Sequence, residues 1–151
     1  TDLKHKEEEI TKHQEELHRM QQLSTLWLQI NRERDERKRL DMLDQVLELE
    51  ESVDAYVMKA GSYVRLHIAE KAIEMADIAL EMVPDQAHAY YHRACANALL
   101  ENKEETLADL NHALKLAPSF HDNLEHDEYF DWLAKDKDFK KVITGDAAPA
   151  A

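Results

Sequence analysis

Punctuation residues are scarce in this 151-residue chain, which holds two glycines and three prolines. Tight turns between strands, and long loops, depend on both residue types. Architectures of strands and hairpins therefore have little sequence to draw on. The single cysteine, Cys95, excludes an internal disulfide framework and suits a reducing, cytoplasmic setting. No apolar run comes near the roughly 20 residues of a membrane-spanning helix, and the opening stretch is too charged for a signal peptide. Positive charge is in deficit, with 19 Lys and Arg against 32 Asp and Glu for a formal charge of −13. An acidic surface repels nucleic-acid phosphates and anionic lipid, so neither nucleic-acid binding nor membrane insertion is expected. The same charge simply keeps a helical protein in solution. The chain opens on Thr1 rather than methionine, which reads as a processed form or a piece of a longer protein.

What the chain has in abundance is Glu, Lys, Leu, Ala, Met, Gln and Arg, the strong helix formers. It also has an internal period. Pro84 and Pro118 stand 34 residues apart, and the same step brings Ala55 onto Ala89, Tyr56 onto Tyr90, Ala60 onto Ala94, Leu66 onto Leu100, Ala79 onto Ala113 and Leu80 onto Leu114. Matches in one register that include tyrosine and proline are a repeat signature. Each copy reads as two helices, Val53–Leu66 with Ala69–Val83 and Ala87–Leu100 with Lys103–Ala117, closed by its proline. Apolar residues at three- and four-residue steps, such as Ala72, Ile73, Ala76, Ala79 and Leu80, give each second helix a buried face.

Tyr56, Ala60, Tyr63, Ala72, Ala79 and Pro84, followed by Tyr90, Ala94, Ala113 and Pro118, occupy the aromatic, small and proline places of a known pattern. On these residues the chain resembles the tetratricopeptide repeat (TPR) family, whose unit is likewise about 34 residues long. It departs at Asn97, where an aromatic is usual, and at Thr106, where alanine is usual. The resemblance implies an all-α, right-handed α-solenoid of helix–turn–helix repeats with an N-terminal helix and a C-terminal cap. The expected layout is a charged leading helix over 1–19, a degenerate TPR-like pair over 20–52 (helices near Gln21–Asn31 and Glu36–Leu49), repeats over 53–86 and 87–120, capping helices over 121–143, and a disordered tail over 144–151. Within the cap, Leu124–Phe130 is expected as a helix, and Tyr129, Phe130, Trp132, Leu133 and Phe139 are expected to cover the end of the stack.

TPR arrays bind extended or helical peptides on the concave face made by their first helices. The resemblance places Leu23, Trp27, Val57, Val64, His88, Tyr91 and Cys95 on that face, beside Gly61 and Ala98. The implied role is a non-enzymatic interaction module, a scaffold or chaperone-like adaptor, with a protein or peptide partner. Chaperone-tail binding in the family uses Lys and Asn to clamp a carboxylate, whereas the matching places here are Val57, Gly61, His88 and His92. That set supplies no fixed positive charge. The second reading is self-association into a homo-oligomer, through repeat stacking or through the leading helix, where Leu3, Ile10 and Leu17 recur every seven residues. The third is a histidine-based metal protein or enzyme using His88 and His92, but nothing at ligand spacing completes the set. No cofactor, metal or catalytic residue is expected. The mixed run Arg32–Arg39 reads as a solvated connection laced with salt bridges.

Overall fold

A computed structural model describes residues 1–145. Among these residues the chain is all-α, with no strand: α1 (Asp2–Arg32), α2 (Glu36–Leu49), α3 (Val53–Arg65), α4 (Ala69–Met82), α5 (Ala87–Leu99), α6 (Lys103–Leu116), α7 (His121–Leu124) and α8 (Lys137–Thr144), with 3₁₀ turns at Pro118–Phe120 and Glu128–Leu133. The chain divides into two compact units, Thr1–Ala55 and Tyr56–Ala151.

The first unit is a hairpin of α1 and α2. No proline or glycine interrupts residues 1–52, so the leading helix and the first helix of the degenerate pair run on as one element of 31 residues. Leu23, Leu26 and Ile30 of α1 and Leu40, Leu43 and Val46 of α2 are buried at three- and four-residue steps. The connection between them is built rather than loose. Asp35 caps α2 by accepting from the backbone N–H groups of Arg37 (2.9 Å) and Lys38 (3.2 Å). Arg39 donates from Nη1 to the carbonyls of Ile30 (3.0 Å) and Glu33 (3.2 Å), satisfying groups that the end of α1 leaves open. The hairpin closes where Arg19 meets Glu50 at 3.6 Å.

In the second unit, α4 packs against α5 and α5 against α6. Alanines at 72, 76, 79, 94 and 113 are fully buried, which lets the helix backbones approach closely. The two repeats turn in the same way. His67 and Glu101, one period apart, both adopt a left-handed conformation with φ of 59° and 58°. Around them the bonds recur in register: Ile68 N to Tyr63 O (2.8 Å) and Asn102 N to Asn97 O (2.9 Å), His67 N to Val64 O (2.9 Å) and Glu101 N to Ala98 O (3.0 Å). Each pair is a helix C-terminal motif that returns the chain for the next helix.

The two departures from the TPR pattern belong to one polar network in the second repeat. Arg93 of α5 forks onto Asp109 of α6 at 2.9 and 2.8 Å and reaches Asp77 of α4 at 2.8 Å. Asn97 donates to Asp109 (3.4 Å) and accepts from Asn102 (3.4 Å), while the Thr106 hydroxyl donates to the Asn102 carbonyl (2.7 Å).

Beyond α6 the expected helix Leu124–Phe130 does not form. The chain makes α7, breaks at Glu125–Asp127, and resumes as a 3₁₀ turn in which Asp127 accepts from the Tyr129 N–H. A continuous α-helix would set Leu124 and Phe130 about 120° apart around its axis. The break lets both turn inward, and both are buried. The cap closes with α8, where Asp136 accepts from the N–H groups of Asp138 (2.8 Å) and Phe139 (3.0 Å). Thr144 ends that helix and Gly145 caps it at φ 77°; the rest of the expected tail, 146–151, lies outside the described residues.

Candidate functional site

Of the residues expected on a peptide-binding face, two lie in the first unit. Leu23 is buried in the hairpin and Trp27 is half-buried. In the second unit Val57, Val64 and Cys95 are buried, Tyr91 is half-buried and His88 is exposed. Burial of so much of the expected face has a cause on α5. The segment from Pro118 to Leu133 is folded onto it. Phe120 meets His88 edge-on at 4.9 Å and Tyr91 at 5.0 Å between ring centroids. Phe130 meets Tyr91 edge-on at 6.0 Å. The Tyr91 hydroxyl donates to Asp127 at 2.6 Å. Val64, Cys95 and Ala98 share one apolar cluster with Leu124, Phe130, Leu133 and Phe139. The face is therefore occupied by the chain's own segment after Pro118, where the resemblance implies a partner peptide.

Electrostatics at this face do not favour nucleophilic chemistry. Burial, then the neighbouring Asp127 carboxylate, pushes the Cys95 thiol well above its usual range, which keeps it protonated. Burial and the bond to Asp127 likewise hold the Tyr91 phenol above its usual range. His88 and His92 lie 6.4 Å apart, and among the described residues no group of three His, Cys, Asp or Glu side chains is placed to hold a metal ion. His92 is instead a packing residue. A Cβ placed on Gly61 would sit 3.0 Å from its ring, so glycine is what allows α3 and α5 to meet there.

Burial, reinforced by Arg65 and His88, lowers the His92 pKa from 6.5 to about 4. A base whose folded-state pKa is depressed keeps its full contribution above its unfolded value and loses it as pH falls. The window runs from about 6.5 down to about 4. We expect a loss of about 2 kcal/mol between pH 7 and pH 5, at 1.36 kcal/mol per pKa unit. Urea denaturation at both pH values checks this, with His92→Gln as the comparison. Equal acid losses in the two proteins would show that His92 is not the group responsible.

A cavity of about 700 Å³ opens beside the same segment, between His67, Glu101, Asp127, Tyr129 and Trp132. His126 also lines it, whereas Asp131 lines a separate cavity of about 390 Å³. Asp127 lines both cavities. No helix of the described residues is long and apolar enough to cross a membrane.

No family model matches the chain, and no solved structure matches it. Curated relatives do. A TPR repeat-containing protein of Rhizobium etli is 29% identical over 103 residues, covering 65% of this chain and 50% of the relative. The DnaJ homolog subfamily C member 3 homolog of Dictyostelium discoideum is 28% identical over 112 residues, 69% of this chain and 22% of its own length. Serine/threonine-protein phosphatase T of Trypanosoma brucei brucei is 29% identical over 111 residues, 73% of this chain and 24% of its own. The chain spans half the length of the first of these and about a quarter of the others. Helix pairs, matched turns and relatives converge on one class: an all-α, TPR-like helical repeat protein. At this modest identity the resemblance to the TPR family is to its repeats.

Proposed function

We propose that the chain is a non-enzymatic protein-interaction module, a scaffold or chaperone-like adaptor, that holds a peptide segment of its partner. The observation that carries this reading is the α5 face itself. It holds a short segment through two aromatic rings, Phe120 and Phe130, and one carboxylate, Asp127. Helix surfaces that accept such anchors are the usual means of peptide capture in helical repeats. In the second unit Val57, Val64 and Cys95 are buried and His88 is the exposed position that a partner would reach; in the first unit Leu23 is buried, and half-buried Trp27 is a separate position for contact. The expected ligand is apolar or aromatic rather than a free carboxylate terminus, because Val57, Gly61, His88 and His92 offer no fixed cation.

The test is capture on the immobilised full chain, with Trp27→Asp and His88→Glu as variants. Retention of partner proteins should fall at least about tenfold, the scale of a lost interface anchor, with helicity unchanged. Equal retention by the wild type and both variants would place binding on other surfaces and overturn this one.

A further inference from the structure

Among the described residues ten large apolar side chains are exposed, and five of them, Leu3, Ile10, Leu17, Met20 and Leu28, lie on α1. Three are aligned. Leu3, Ile10 and Leu17 recur every seven residues, close to two helical turns, and are 70%, 58% and 58% exposed. The stretch that bears them has no cover within its own unit. The Arg19–Glu50 ion pair marks the end of the hairpin, and every residue from 1 to 18 is exposed. A helix of that length is marginal in water by propensity alone, because most helical stability comes from packing one face. An aligned apolar stripe on an overhanging helix is a face that awaits a second helix.

Charge decides which helix, and in which direction. In a parallel, in-register pair the stripe would face its copy, but Lys6, three residues after Leu3, would meet the partner's Lys6 in the seam. Asp2 would also flank the partner's Glu7. Reversing one helix about Ile10 removes both conflicts. Leu3 then lies level with the partner's Leu17, and Ile10 meets the partner's Ile10. On one flank of the seam Lys6 comes beside the partner's Glu16, and His13 beside the partner's Glu9. The arrangement is self-complementary, as a two-fold interface requires.

We propose that residues Leu3–Leu17 of α1 form an antiparallel two-helix contact with the same residues of a second copy of this chain. A seam with one apolar residue per heptad falls at the small end of specific interfaces, under about 1,200 Å² in total. The dimer is accordingly weak and reversible, with a dissociation constant in the micromolar range or above.

Two measurements on the full chain test this. Sedimentation equilibrium from micromolar to near-millimolar concentration should show the mass climbing from 17.6 kDa towards twice that value. Ile10→Asp should weaken the association at least tenfold. A monomer at every concentration, or a dimer indifferent to Ile10→Asp, overturns the proposal. Orientation is read by cross-linking in a Cys95→Ala background. Leu3→Cys mixed with Leu17→Cys should give a disulfide heterodimer under mild oxidation, with little product from either alone. Self-linking of Leu3→Cys in excess over the mixed product would show parallel helices and overturn the antiparallel pairing. Neither readout depends on partner capture, so this proposal and the interaction module stand or fall separately.

Discussion

Replacing Arg93 with methionine should destabilise the second unit by about 3 kcal/mol, a large share of the 5–15 kcal/mol that holds a typical domain folded. The reason lies with its partner more than with Arg93 itself. Asp109 is 5% exposed, and its carboxylate accepts a two-pronged bond from Arg93 and a weaker one from Asn97. Without the guanidinium, a buried carboxylate keeps only an amide donor. The exposed branch to Asp77, whose side chain is 56% exposed, contributes little. Replacing both members, Arg93→Met with Asp109→Leu, should recover most of the loss, because an apolar pair of similar volume carries no desolvation penalty. In urea, with a slope of about 1–3 kcal/mol per molar, the single variant's midpoint should drop by at least about 1 M. A shift of a few tenths of a molar would mean that the fork is ornamental and that Asp109 is solvated when Arg93 goes.

Phe130→Ala is the second large change, at about 3–5 kcal/mol for an aromatic removed from a packed interior. Phe130 is 2% exposed and lies between Tyr91, at 6.0 Å, and Phe139, at 6.1 Å. Its loss should also have a local chemical signature. Cys95 shares that cluster at 2% exposure, so its modification by a thiol reagent in native buffer should be slow in the wild type and many-fold faster in the variant. Unchanged labelling beside a large drop in stability would place the cover over Cys95 in the helices rather than in the segment after Pro118.

These two residues also mark what could be read from sequence. The helices of the two repeats end within one residue of expectation, because Pro84 and Pro118 stop α4 and α6 and the alanine and leucine spacing reports a period of 3.6. Arg93 carried no such signal. Its partners Asp77 and Asp109 are 16 residues away on either side, and nothing local distinguishes a buried fork from a solvated charge. The turns were equally silent. His67 and Glu101 take a left-handed conformation that glycine ordinarily marks, so only their shared place in the period hinted at a common role. Phe130, Leu133 and Phe139 are expected in the cap as apolar residues after Pro118, and all three are buried. Their placement on α5 was hidden, because the bond between Tyr91 and Asp127 joins residues 36 positions apart. Trp132 was expected with them but is 40% exposed, its indole N–H donating to the Tyr129 carbonyl. The fusion of the leading helix with the first helix of the degenerate pair into α1 was legible in principle, as an absence of any breaker.

The matched turns at His67 and Glu101 bear on how a chain of this kind can lengthen. A unit copied with one such joint at each end enters with both connections already formed, whatever its interior holds. The last berth is nevertheless reserved. Only a first helix bearing the equivalents of Tyr91 and Cys95 can receive Asp127 and Phe130, so a copy added between α6 and the closing segment must keep those residues, whereas one added ahead of α5 need not.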